Sequence, residues 1–147
     1  MKNIERKDAI LEFRDKYAFL SNFYVASVNY AGHTFQNNEA AFQAMKNPVA
    51  ADLFTGIDAK TAKRMGRRVE LRVDWETVKE RIMYEICLAK FTQHSELAQK
   101  LLKTGTKYLV EGNYWGDTEW GVCNGKGKNK LGKILMRVRE ELRGGKA

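Results

Sequence analysis

The chain is poor in the residues that carry redox, metal and most nucleophilic chemistry: it has two cysteines, two histidines and one proline. Cys87 and Cys123 have no Cys or His partner at metal-ligand spacing, and two cysteines are too few for a disulfide framework or a zinc site. His33 and His94 lack a neighbouring nucleophile, which leaves no Ser-His-Asp or Cys-His arrangement. Gly121 and Gly125 enclose only three residues and no Ser or Thr follows Lys126, so the lysine-rich segment is not a Walker loop. Nor does Gly125-Lys126-Gly127 continue into a dinucleotide fingerprint. No apolar run approaches the length that crosses a bilayer, and MKNIERKDAI lacks the apolar centre of a signal peptide. These absences predict a soluble cytoplasmic protein with no membrane partner, no metal and no cofactor.

What is present centres on Glu111 to Gly132, EGNYWGDTEWGVCNGKGKNKLG, which holds two of the three tryptophans and six of the twelve glycines. A long loop without structure of its own, yet rich in Trp and Tyr, is expected to be functional rather than disordered. Gly125, Gly127 and Gly132 would let the backbone approach another object closely. Lys126, Lys128, Lys130 and Lys133 place positive charge beside a helix start, so an anion is the expected guest. Asp117, Trp120 and Gly121 add a carboxylate and a flat apolar face to the same loop. The plain alternative is that the tryptophans are core plugs and the lysines a solvated surface. The formal net charge of +8 favours a negatively charged partner, either a phosphorylated small molecule or nucleic acid.

The 147 residues predict one domain able to bury its own core. Ala9 to Phe13 reads as a strand, followed by the aromatic cluster Tyr17, Phe19, Phe23 and Tyr24. Asn22 lies among these aromatics, and a buried amide there must be hydrogen-bonded, to the core or to a ligand edge. Val25 to Phe35 reads as a hairpin turning at Ala31-Gly32. Asn37 or Asn38 caps a helix from Glu39 to Lys46, stopped before Pro48. Glu39, Phe42, Gln43 and Lys46 share one of its faces, which meets water or lines a cavity, water being the commoner case.

Val49 to Phe54 reads as a further helical turn. Asp58 caps a basic helix ending at Gly66, where Arg64, Arg67 and Arg68 form either a phosphate clamp or a solvated helix end. Asp74 caps the longest helix, running to about Phe91, on which Cys87 reads as an inert buried hydrophobe. His94 reads as a linker residue, Ser95 as the cap of a helix ending at Thr104-Gly105, and Tyr108 to Val110 as a strand. Asn129 caps a last helix with Leu131, Ile134, Leu135 and Val138 inward, closing at Gly144-Gly145. The fold class predicted is α+β, a single compact domain over 1–147, mostly helical with a few short strands.

With metal, redox and triad chemistry set aside, carboxylates, a lysine and aromatic platforms remain. Cleaving a glycosidic bond develops positive charge on the sugar, which a carboxylate stabilises while an acid assists the leaving group. Glu39 and Asp117 are the candidate carboxylates. Lys46 is either their ion-pair partner or a Schiff-base nucleophile towards a ribose. Trp115, Trp120, Phe23 or Tyr24 would stack on a base.

Taken together, FLSNFY (19–24), NNEAAFQAMK (37–46), TAKRMGRR (61–68), DWETVKERIM (74–83), AKFTQHSELAQKLLKTG (89–105), LVEG, DTEWG and GKGKNKLG resemble the YbiA-like, or NADAR, family over nearly the whole chain. The resemblance implies a metal-independent N-glycosidase that hydrolyses the bond between ribose phosphate and a base, as in phosphorylated riboflavin-pathway intermediates. It also implies a second possible activity, removal of ADP-ribose from modified guanine in nucleic acid. A noncatalytic binder of ADP-ribose or nucleic acid is the rival from another class. By the same resemblance Glu39, Lys46 and Asp117 are the catalytic residues. Asn22, Phe23, Arg67, Trp120, Gly121 and Asn129 then bind substrate, with Trp115, Lys126 and Lys128 added for their aromatic face and positive charge, and Gly66 and Gly132 match family glycines. Val122-Cys123 departs from the family pattern, where another glycine follows Trp-Gly, and that bears on loop shape and substrate.

Overall fold

The computed structural model describes residues 8–144. In chain order its elements are β1 (Ala9–Ile10), a 3-10 helix (Asp15–Leu20), β2 (Val28–Tyr30), β3 (His33–Phe35) and α1 (Asn38–Ala44). A second 3-10 helix (Pro48–Phe54) follows, then α2 (Ala59–Gly66), α3 (Trp75–Gln93), α4 (Ser95–Lys103), β4 (Tyr108–Leu109), β5 (Gly112–Asn113), β6 (Val122–Cys123) and α5 (Lys130–Arg143). This is an α+β fold in which helices dominate and strands are two or three residues long. Among the described residues no helix is long and apolar enough to cross a membrane. The chain divides into two compact units, Asn22–His94 and a unit that joins the segment up to Ser21 with the segment from Ser95 onward.

In the Asn22–His94 unit, β2 and β3 form the expected hairpin, paired Val28 to Phe35 and Tyr30 to His33. Ala31 and Gly32 take φ of 52° and 84°, so both central residues are left-handed, as a tight two-residue hairpin turn requires. The Asn37 side chain accepts from Ala40 N at 2.8 Å and starts α1, while the Asp58 carboxylate accepts from Thr61 N at 2.7 Å and starts α2. Ala40, Ala41 and Ala44 are fully covered, and their small size lets α2 and α3 close on α1, with Phe42 against Trp75 at 5.0 Å between ring centroids. Every residue of α1 is buried in consequence. The polar face of this helix therefore does not meet water: tertiary packing overrides what an isolated amphipathic pattern favours.

Two further expectations are corrected here. Asp74 precedes α3 but makes no capping hydrogen bond; its carboxylate is taken by Arg72, whose Nε donates at 2.6 Å and Nη2 at 3.2 Å. His94 is more than a linker, since its Nε2 lies 2.6 Å from the carbonyl of Ser27 and ties the end of α3 to the entry of the hairpin. Cys87 is fully buried, and burial pushes its thiol up to about 12, which keeps it protonated and unreactive.

In the other unit β1 pairs in parallel with β4, Ala9 to Tyr108 and Ile10 to Leu109. The strands expected over Ala9 to Phe13 and Tyr108 to Val110 are shorter than their apolar runs, because only these pairs find partners. The aromatic stretch before Ser21 forms a 3-10 helix that buries Phe19 and Leu20. Ser95 is the first residue of α4 rather than a residue before it. On α5 Leu131, Leu135 and Val138 face inward as the 3.6-residue period requires, whereas Ile134, expected with them, is only half-buried; Gly144 ends the helix, and Gly145 lies outside the described residues. Buried Arg139 donates to Thr104 Oγ1 at 2.9 Å and Arg143 to the Gly105 carbonyl at 2.6 Å, which places two cations at the carbonyl end of α4.

Candidate active site

The candidate catalytic pair Glu39 and Lys46 lies in the Asn22–His94 unit, on and just beyond α1. Glu39 occupies the first turn of the helix, where the dipole favours a negative charge. Its backbone N donates to the Asn22 carbonyl at 3.1 Å, and its Oε2 accepts from Gln43 Nε2 at 2.6 Å. Lys46 follows the helix end, half-buried, with Nζ donating to the carbonyl of Gly66 at 3.3 Å. Burial lowers the pKa of Lys46; Glu39 opposes this, and Arg67 and Lys79 add to it. The lysine thus feels Glu39, Arg67 and Lys79 together, and a larger neutral fraction of its amine is available than on an open surface.

Asn22 is buried, and its amide is engaged within the unit: Oδ1 accepts from Asn38 Nδ2 at 3.3 Å, and Nδ2 lies 3.4 Å from Met83 Sδ. Phe23 is 44 % exposed, with Lys63 Nζ 5.9 Å over its ring. Arg67 is exposed at the end of α2. Sequence reasoning left Gln43 out of the site although its i, i+4 spacing from Glu39 was legible.

Asp117, Trp115, Trp120, Gly121, Lys126, Lys128 and Asn129 belong to the other unit. Their loop has structure of its own, contrary to expectation. β5 and β6 pair in parallel, Gly112 to Val122 and Asn113 to Cys123. Cys123 and Lys126 exchange backbone hydrogen bonds of 2.8 and 3.0 Å around Asn124 and Gly125, whose φ values of 53° and 76° make a tight turn. The Asn-Gly dipeptide was the available signal for it. Asp117 Oδ1 accepts from the backbone N of Glu119 and of Trp120, both at 3.0 Å, and so folds the bend that carries the indole. Lys130 Nζ lies 5.9 Å over the Trp120 ring. Tyr114 and Trp115 are exposed and meet edge to face at 5.2 Å.

The anion cradle expected at the start of α5 is occupied by the chain itself. Backbone N–H groups of Lys128, Lys130 and Leu131 donate to the carbonyls of Thr118, Glu119 and Trp120 at 2.8, 3.3 and 2.9 Å. A Cβ on Gly127 would overlap the Gly121 carbonyl, and one on Gly132 the Leu109 carbonyl, so these glycines permit close approach of the loop to its own chain. Asn129 stands before α5 with φ of 53° but makes no capping bond. Its buried amide instead accepts from Glu111 N and donates to the Leu109 carbonyl, both at 2.9 Å, which clasps β4 to the helix start. The side chains of Lys126 and Lys128 are exposed, and Lys128 Nζ lies 3.5 Å from Glu119. Among the described residues no group of three or more His, Cys, Asp or Glu is placed to hold a metal ion.

Comparison with known proteins converges on one family. The NADAR domain model matches residues 10–143. The chain is 39 % identical over 148 aligned positions to N-glycosidase YbiA of Shigella flexneri, covering 92 % of this chain and 90 % of that protein. It is 35 % identical to a riboflavin biosynthesis protein of Vibrio vulnificus over 87 % of this chain and 36 % of that longer protein. The NMR structure of the Escherichia coli protein YbiA superimposes with a TM-score of 0.83 at 38 % identity, covering 95 % of this chain and 88 % of that one. On the whole-length domain match and these relatives, the chain belongs to the NADAR family and is a hydrolase of the N-glycosidase class.

Proposed function

We propose that the substrate is a phosphorylated N-ribosyl compound of the kind formed early in riboflavin synthesis, and that Glu39 and Lys46 carry out the cleavage. The observation that carries this reading is a buried helix that holds Glu39 through Gln43 and is followed by half-buried Lys46, whose Nζ rests on the Gly66 carbonyl at 3.3 Å. Departure of the base leaves positive charge at C1′ of the ribose, which a carboxylate such as Glu39 stabilises. Lys46, partly neutral, bonds to C1′ as the C1′–N bond to the base breaks; the ring then opens at C1′–O4′, O4′ taking up a proton, and a protonated imine forms between C1′ and the lysine nitrogen. The proton that the amine gives up is balanced by the one the leaving base takes up. Water then adds to the resulting imine, releasing the sugar phosphate and the free amine. Arg67 is assigned to phosphate and Phe23 to the base. Asn22 shapes the binding elements of this unit rather than contacting the bond.

Support for the riboflavin-type substrate comes from the Vibrio relative's name. The net charge of +8 keeps a second substrate in view, ADP-ribose on guanine in nucleic acid. The test incubates the protein with a ribosylaminopyrimidine phosphate and, separately, with an ADP-ribosylated guanine oligonucleotide, and measures released base by chromatography. Release from the first substrate, lost in Glu39→Ala and Lys46→Ala while their melting temperatures stay near wild type, is expected. Borohydride added during turnover should fix the sugar covalently on Lys46, visible by mass spectrometry. Wild-type turnover in both variants would defeat the assignment. Release from the oligonucleotide alone would move the substrate to nucleic acid, and tight binding without release from either would make the protein a binder.

A further inference from the structure

We infer that Gln43 is a positioning residue for this reaction and that Gly66 exists to accommodate it, so that one amide and one glycine hold Glu39 and Lys46 in register. The inference rests on the assignment of Glu39 and Lys46 above and deepens it. Gln43 is 6 % exposed, one helical turn from Glu39, and donates to the Glu39 carboxylate through Nε2 at the short distance of 2.6 Å. Bonds of this length to a carboxylate are charge-assisted and directional. They fix the rotation of the carboxylate as well as its place.

The other end of the amide is informative. Gln43 Oε1 is buried and has no hydrogen-bond partner. A carbonyl left in that condition destabilises the fold, and a leucine or methionine in the same volume would avoid the loss. Packing alone therefore does not account for glutamine here, whereas holding Glu39 does. Residues at functional sites commonly carry such a local cost.

Gly66 completes the device. It is the last residue of α2, buried, and its φ is not in the left-handed region, so the backbone does not require glycine at this point. A Cβ there would overlap Gln43 Oε1 directly. The same residue's carbonyl accepts from Lys46 Nζ at 3.3 Å. Gly66 thus touches both arms: the absence of a side chain admits the amide that orients Glu39, and its carbonyl receives Lys46. Because α1 is buried throughout, the Gln43–Glu39 arm has no room to shift.

The test is a kinetic cycle on the intact chain with the ribosylaminopyrimidine phosphate. Gln43→Leu should lower kcat on the order of 10²-fold, the scale of a small misplacement of a reacting group. Its KM should move less than about threefold and its melting temperature should hold or rise. Gly66→Ala should lower kcat in the wild-type background but cost little more in Gln43→Ala, where the amide it strikes is gone. A Gln43→Leu kcat within twofold of wild type would overturn the inference, as would an equal cost of Gly66→Ala in both backgrounds. If Gln43→Leu does not fold, the Gly66→Ala and Gln43→Ala pair decides alone. Glu39→Ala, run alongside, separates the failures: an active Glu39→Ala defeats the parent reading, whereas an inactive Glu39→Ala beside a fully active Gln43→Leu defeats only this one.

Discussion

Replacing Lys90 by Met should flatten the pH dependence of stability. Lys90 lies on α3, 1 % exposed, with Nζ 5.3 Å from the centre of the Tyr24 ring and 5.2 Å from that of Phe91. Burial pulls its pKa from 10.5 down to about 8, against a smaller upward pull from Cys87. Between those two values the unfolded chain holds the proton more tightly than the folded one, so stability rises as pH rises through the window; below about 8 the penalty is complete and constant. The two rings favour the ammonium and soften the effect. Raising the pH from 7 to 9 should therefore stabilise the wild type on the order of 1 kcal/mol, a rise of about 3 °C in melting temperature for a chain of this size. Cys87 acts in the opposite sense, because its thiol is pushed up to about 12 and stability is lost as pH climbs above the ordinary 9.0, so the comparison stops at pH 9. Lys90→Met keeps the length of the chain and places a thioether against the two rings. Thermal melts of both proteins by circular dichroism at pH 7 and 9 give the comparison. Equal slopes in wild type and Lys90→Met would refute the argument, and so would a wild-type melting temperature that falls over this range.

Two further outcomes follow from the sites described. Arg67 helps hold the Lys46 pKa down, so Arg67→Gln should raise it and move the ascending limb of kcat against pH to more alkaline values under saturating substrate; an unmoved limb would remove Lys46 as the titrating group. Asp117→Ala deletes the acceptor for the backbone of Glu119 and Trp120 and should cost about 2 kcal/mol in a denaturant titration, most of it recovered by Asp117→Asn, which keeps the acceptor oxygen.

Local chemistry made much of this architecture legible. Asn37 and Asp58 cap their helices as their side chains predict, Ala31-Gly32 turns the hairpin, and the spacing of Leu131, Leu135 and Val138 marks the inward face of α5. What stayed hidden depends on partners distant in the chain. β5 and β6 are two residues each and carry no periodicity, so nothing local shows that Gly112 lies beside Val122. Asp74 reads as a cap until Arg72 claims its carboxylate. Asn129 reads as a cap too, until its amide is found bridging Leu109 and Glu111. Of the candidate site, Glu39 and Lys46 were legible as residues of one short segment, although the helix expected to reach Lys46 ends at Ala44. Burial of that helix, which lowers the lysine pKa and isolates the Gln43 carbonyl, arises from α2 and α3 closing over alanines.

The bend between Glu111 and Gly132 joins its main chain to itself at Thr118, Glu119, Trp120 and Gly121. Its exposed tips, Tyr114, Trp115, Lys126 and Lys128, hang from a scaffold that does not depend on them for closure. Exchanging those four side chains would change what the outer surface greets while the turn beneath keeps its shape, so the chemistry this loop presents can drift without disturbing the frame.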